Sequence, residues 1–133
     1  MQRILVADDD MAALDGLRAL LATWGYEVET AADGRQALER ASVIRPAAVI
    51  TDIVMPAMDG LELLTALRHD QPGVPVIVVT GLGNVDTQHR AAQKGAYGYL
   101  SKPIDAGRLK TLLKDALEAR DSGARRGGET RTT

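Results

Sequence analysis

The sequence contains no cysteine, which excludes a disulfide framework and any thiolate metal site and fits a reducing compartment. It also lacks an excess of either charge. Sixteen Lys and Arg stand against eighteen Asp and Glu, for a formal net charge of −2, so nothing in the balance points to nucleic acid. Long apolar runs are missing too. The N-terminal stretch Ile4-Leu5-Val6-Ala7 stops at Asp8-Asp9-Asp10, too short for a signal peptide or a membrane span. A cytoplasmic protein with no membrane contact is the expectation. There is no internal repeat, and Ser122 to Thr133 contain no apolar residue larger than alanine. Such a composition cannot order itself by packing, so residues 1–121 are expected to form one domain and residues 122–133 a flexible tail or linker stub. What is present is 45% hydrophobic content in 133 residues, enough for a core that buries roughly two thirds of the surface the unfolded chain exposes.

The apolar residues fall into short runs separated by helical patterns. Ile4-Leu5-Val6-Ala7, Ala47-Ala48-Val49-Ile50-Thr51 and Val76-Ile77-Val78-Val79 are too uniformly apolar to have a wet face, as in strands covered on both sides. Tyr26-Glu27-Val28-Glu29-Thr30 alternates and belongs at a half-wet edge, and Tyr97-Gly98-Tyr99-Leu100 supplies a fifth strand. Between them lie helices with start and stop signals. Asp10 caps a first helix that Gly25 ends, and Asp33 with Gln36 opens a second that stops before Pro46. Asp59 with Glu62 opens a third, closed by Gln71-Pro72-Gly73; Asn84 caps a fourth, ended by Gly95. Leu109, Leu112, Leu113, Ala116 and Leu117 mark a fifth. Five βα units with right-handed crossovers place helices on both faces of a parallel sheet.

Strand ends on one edge of such a sheet converge, which brings together Asp8, Asp9, Asp52, Thr80 and Lys102. Clustered carboxylates repel unless one is protonated or a cation lies between them. Magnesium suits them, because it takes hard oxygen ligands, few of them from protein, and completes its octahedron with water and phosphate oxygens. Asp9 and Asp52 are expected as direct ligands, with Asp8 holding a coordinated water. Asp10 and Asp59 read as helix caps, His69 and His89 as surface residues without metal-ligand spacing, and Trp24 as packing at a helix end. Gly81-Leu82-Gly83-Asn84-Val85-Asp86 half matches a dinucleotide fingerprint, but its sixth residue is not glycine and it follows the fourth strand rather than the first.

The combination of Ile4 to Asp10, Thr51-Asp52-Ile53-Val54-Met55-Pro56-Ala57-Met58-Asp59-Gly60, Val79-Thr80-Gly81, and Gly95 to Pro103 resembles the receiver domain of bacterial two-component response regulators. The resemblance runs from about Gln2 to Arg120. It implies a flavodoxin-like, doubly wound, five-stranded parallel sheet of order 2-1-3-4-5 with five helices. It also implies roles: Asp52 as phosphoacceptor; Asp8, Asp9, Asp52 and the backbone carbonyl of Val54 as magnesium ligands, with manganese able to substitute; Thr80 and Lys102 as partners of the phosphoryl group; Gly81 as a phosphoryl-contacting amide; Tyr99 as a switch; and a cis peptide at Lys102-Pro103. The surface from Asn84 to Ser101 is then the part that changes on phosphorylation. Val54 and Leu82 would flank the mouth of the site, where apolar side chains cannot orient an attacking water. The partners implied are a histidine kinase or phosphotransfer protein upstream, and an effector protein or a removed effector domain downstream, with the chain itself a monomer or weak dimer.

Two other classes compete. A phosphatase of the haloacid-dehalogenase type also uses an Asp nucleophile with magnesium, but needs a second carboxylate two residues later, where Val54 stands. A flavin protein of the same architecture needs a hydroxyl- and glycine-rich phosphate loop after the first strand, where this chain has three acids. The expected role is a phosphoacceptor signalling module rather than an enzyme acting on a separate substrate.

Overall fold

A computed structural model of the chain describes residues 2–81 and 83–121. The expected tail at 122–133 lies outside the described residues. The order is β1 (Arg3–Ala7), α1 (Met11–Thr23), β2 (Glu27–Ala31), α2 (Gly34–Ile44), β3 (Ala48–Thr51), α3 (Gly60–Asp70), β4 (Val76–Thr80), α4 (Val85–Gln93), β5 (Gly98–Ser101) and α5 (Ala106–Asp121). All strand pairs are parallel, in the order β2-β1-β3-β4-β5. Every expected element is present, with strand ends shifted by a residue. The fifth strand starts at Gly98 rather than Tyr97, although the Tyr97 amide still donates to the Val76 carbonyl at 2.8 Å.

Side-chain alternation in the strands divides the core in two. Ile4, Val6, Ile50, Ile77 and Val79 point toward α1 and α5, where they meet Leu14, Leu17, Leu21, Leu109, Leu113 and Leu117. Leu5, Ala7, Val49 and Val76 point the other way, onto Ala37 and Ala41 of α2 and Leu63, Leu64 and Leu67 of α3. A smaller cluster of Ile53, Leu61, Val78 and Ala91 continues that face under α4. The alternating strand β2 is an edge, as its half-polar pattern requires.

Caps fix where the helices begin. Asp10 accepts from the amides of Ala12 and Ala13, Asp33 from Gln36, Asp59 from Glu62 and Asn84 from Thr87. The Asp59–Glu62 pair closes a reciprocal capping box. The corresponding box at α2 does not close on the cap itself, since the Gln36 side chain accepts from Ala32 instead. Gly25 and Gly95 take positive φ of 90° and 97° just past α1 and α4, the left-handed geometry that terminates a helix.

Candidate functional site

In the strand order β2-β1-β3-β4-β5, the first crossover direction reverses between β1 and β3, and ligands of open α/β sheets bind at the carboxyl ends there. Residues just beyond the strands keep ladder hydrogen bonds. The Asp8 amide donates to the Ala31 carbonyl at 3.1 Å, the Asp52 amide to the Ala7 carbonyl at 3.0 Å, and the Lys102 amide to the Thr80 carbonyl at 2.9 Å. The backbone of each is therefore part of the sheet, while its side chain reaches past the edge.

Those side chains meet. Lys102 Nζ donates to Asp8 Oδ2 at 2.8 Å and to Asp52 Oδ2 at 2.9 Å. The second oxygen of each acid is also held: Asp8 Oδ1 accepts from the Asp10 amide at 3.0 Å and Asp52 Oδ1 from the Ile53 amide at 2.6 Å. Burial pushes the Lys102 pKa down, but hydrogen bonds and charge attraction from Asp8 and Asp52 outweigh it and hold the ammonium above its ordinary value. The lysine is thus a cation at neutral pH, facing two carboxylates.

Asp9 does not join them. Successive residues leaving a strand point to opposite sides, so Asp8 is 3% exposed while Asp9 faces solvent. Among the described residues no group of three or more carboxylates or imidazoles that could hold an ion by itself is found, and Asp9 stands at the exposed rim beside the Asp8, Lys102 and Asp52 cluster. The donor set still fits magnesium. Two carboxylates share one cation here, and this ion takes one or two carboxylates and fills its remaining positions with water and phosphate oxygens.

The profile of the response regulator receiver domain matches residues 4–114. The chain belongs to the response regulator receiver family. It is 42% identical over 114 residues to the transcriptional regulatory protein ZraR of Klebsiella oxytoca, covering 86% of this chain and 26% of that protein. To the transcriptional regulatory protein PrrA of Mycobacterium tuberculosis it is 41% identical over 130 residues, covering 98% and 56%. The chain therefore spans about a quarter to about half the length of these relatives. In structure it resembles a CheY-like receiver domain protein from Methanospirillum hungatei, with TM-score 0.88, 32% identity, and 92% and 98% of the two chains covered. Vibrio cholerae CheY4 gives TM-score 0.81 at 33% identity, covering 87% and 98%. The phosphatase reading is left without support.

The remaining residues singled out in the sequence take definite places in this receiver. Thr80 ends β4, 1% exposed. A β-carbon built on Gly81 would meet nothing within 4 Å, so the position is roomy. Tyr99 packs against the Ile53, Leu61, Val78 and Ala91 cluster beneath α4, and the Lys102-Pro103 peptide is cis. Val54 lies two residues past Asp52 and is 55% exposed, whereas Leu82 lies outside the described residues. His69 and His89 are exposed, and Trp24 packs partly buried at the end of α1 with Lys110 Nζ 5.8 Å from its ring centroid.

Sequence reasoning missed three neighbours of the site. Gly60 sits so close to the Asp52 carbonyl that any β-carbon there would collide with fixed backbone, whereas a β-carbon on Gly83 would meet the side chain of Ser101. The Ile53 amide, which holds Asp52 Oδ1, was missed as well. The Asp59-Gly60 pair carried a signal, since a glycine opening a helix, where its flexibility is a disadvantage, points to a close backbone approach. A main-chain amide carries none.

Proposed function

We propose that Asp52 accepts a phosphoryl group from a phosphohistidine on a histidine kinase or phosphotransfer protein, and that the acyl phosphate so formed shifts the Asn84 to Ser101 surface read by an effector protein or an attached effector domain. The observation that carries this is the Lys102 ammonium placed 2.8 Å from Asp8 and 2.9 Å from Asp52. That arrangement fixes a cation beside a carboxylate nucleophile. In the transfer, an Asp52 carboxylate oxygen bonds to phosphorus as the bond from phosphorus to the histidine nitrogen breaks; the imidazole leaves with the bonding pair. Lys102 neutralises charge on the transferring oxygens, and the Thr80 hydroxyl and Gly81 amide donate hydrogen bonds to the phosphoryl oxygens.

Asp8, Asp9, Asp52 and the Val54 carbonyl are the residues that would hold magnesium or manganese, with Asp9 the exposed member. The ion supplies charge neutralisation for the phosphoryl oxygens when bound. No helix among the described residues is long and apolar enough to cross a membrane, and a cytoplasmic monomer or weak dimer is the setting we infer. The test is mass analysis after incubation with acetyl phosphate and magnesium. One acid- and base-labile phosphoryl group should appear on Asp52 and vanish in Asp52→Asn; undiminished labelling of that variant would place the acceptor elsewhere.

A further inference from the structure

We propose that Thr51 positions the Asp52 carboxylate through the peptide plane that joins Asp52 to Ile53. The inference rests on the assignment of Asp52 as phosphoacceptor. Thr51 is the last residue of β3 and is 0% exposed. Packing alone would accept a valine there, which has the same shape, so the hydroxyl is the informative part. It donates to the Asp52 carbonyl oxygen at 2.8 Å.

That carbonyl is one end of a rigid unit. The peptide bond is planar, so the Asp52 C=O and the Ile53 N–H turn together. The Ile53 N–H is the group that donates to Asp52 Oδ1 at 2.6 Å, while Asp52 Oδ2 meets Lys102 at 2.9 Å. Fixing the carbonyl therefore fixes the donor that stops the carboxylate from rotating about its own axis. Main-chain holds assist. The Asp52 amide donates to Ala7 at 3.0 Å, the Gly60 amide to the Ile53 carbonyl at 2.7 Å, and Gly60 lies against the Asp52 carbonyl. Thr51 adds a side-chain hold to these, and it is the one that a single substitution can remove. The same plane sets the direction in which the chain leaves toward the Val54 carbonyl. A nucleophile turned away from its line of attack by about 1 Å loses on the order of a hundredfold in rate, so partial loosening predicts a smaller but measurable loss.

A hydroxyl that merely satisfied a buried carbonyl would affect melting alone. The experiment compares wild type, Thr51→Val and Thr51→Ser by initial rate of phosphorylation over a range of acetyl phosphate and magnesium, by melting temperature, and by the amide proton shift of Ile53. Thr51→Val should lower the maximal rate about tenfold with little change in half-saturating acetyl phosphate, and should move the Ile53 amide resonance upfield as its bond to Oδ1 lengthens. Thr51→Ser should restore both. A Thr51→Val protein with wild-type rate and an unmoved Ile53 amide overturns the proposal, as does a Thr51→Ser protein as impaired as Thr51→Val. Should the valine variant melt below the assay temperature, Thr51→Ala takes its place in the same comparison. If wild type itself takes up no phosphoryl group, the assignment of Asp52 fails, and the Ile53 amide, which needs no phosphorylation, still decides whether Thr51 orients the carboxylate.

Discussion

Helices α3 and α4 share one face of the sheet and one small cluster of apolar residues, yet they are held by different amounts of packing. Helix α3 buries Leu61, Leu63, Leu64 and Leu67 and starts from a closed capping box, whereas α4 buries Thr87 and Ala91 and starts from Asn84. At roughly 1.5–3 kcal/mol for each fully buried leucine, α3 is gripped several times more firmly. A groove of about 760 Å³ runs beside α4, β5 and α5, and the Tyr99 hydroxyl beneath α4 is buried with no hydrogen-bond partner among the described residues. Helix α3 begins at Gly60, pressed against the Asp52 carbonyl, while α4 follows Thr80 through a short loop. The proposed phosphoacceptor Asp52 therefore stands beside the firmly packed helix, and Thr80 leads to the weakly packed one. Elements that shift in a switch come from the weakly held part of a fold.

The largest test is to cut into each helix at a fully buried position. Leu64→Ala in α3 should destabilise the protein by about 2–5 kcal/mol, and Ala91→Gly in α4 by about 1 kcal/mol. Denaturant titration measures both. Equal losses would mean that the two helices are held alike and that the contrast is wrong.

Glycines at the entrances of the two helices give a second contrast. Gly60→Ala drives a β-carbon into the Asp52 carbonyl and should cost about 1–3 kcal/mol while slowing phosphorylation. Gly81→Ala meets open space and its φ is not positive, so it should stabilise by about 0.4–1 kcal/mol through the unfolded chain. Melting curves and acetyl phosphate labelling of the two variants check it; a destabilised Gly81→Ala would show that the α4 entrance is as tightly built as that of α3.

Much of this was legible in the sequence, for identifiable reasons. Strands buried on both faces are continuously apolar, and the edge strand β2 alternates, so the sheet could be read from Ile4 to Ala7, Val76 to Val79 and Tyr26 to Thr30. Caps such as Asp59 and Asn84 act over three residues, a range at which sequence and structure coincide. The meeting of Asp8, Asp52 and Lys102 was legible because parallel strands align their ends. The different burial of Asp8 and Asp9 was not legible, because the loop turns one acid inward and leaves the next exposed, which composition cannot show. The Ile53 amide and the Thr51 hydroxyl bond depend on the rotation of a single peptide plane, and no residue pattern encodes it.

Phosphorylation itself should sharpen the contrast. Amide resonances of α4 and β5, from Asn84 to Ser101, should move more than those of α3 when a phosphoryl mimic is added. In Thr80→Ala the mimic should still bind, and the movement in α4 should largely disappear if the hydroxyl connects the two as proposed. The same shifts in wild type and Thr80→Ala would remove Thr80 from the switch, and shifts centred on α3 would reverse the comparison.

The smallest effect concerns pH and serves as a control from the opposite face. Tyr26 packs against the α1 and α5 cluster, and its pKa is raised above the ordinary 10.0, first by burial and then by the charge of Glu118. A raised pKa means that the folded state keeps the phenol proton better than the unfolded chain. The resulting stability is fully present below pH 10 and is lost as pH rises through the folded value. Lys102 is raised as well and acts in the same direction, its share being lost only as pH passes above its own ordinary value of 10.5. Tyr26→Phe isolates the first contribution: its melting temperature should fall less than that of wild type between pH 9 and about pH 11. Tyr26 is only partly buried, so the change is small, and it belongs to the face that neither α3 nor α4 touches. The gap between Leu64→Ala and Ala91→Gly should accordingly be the same at neutral and alkaline pH. A gap that closes as pH rises would show that charge rather than packing separates the two helices.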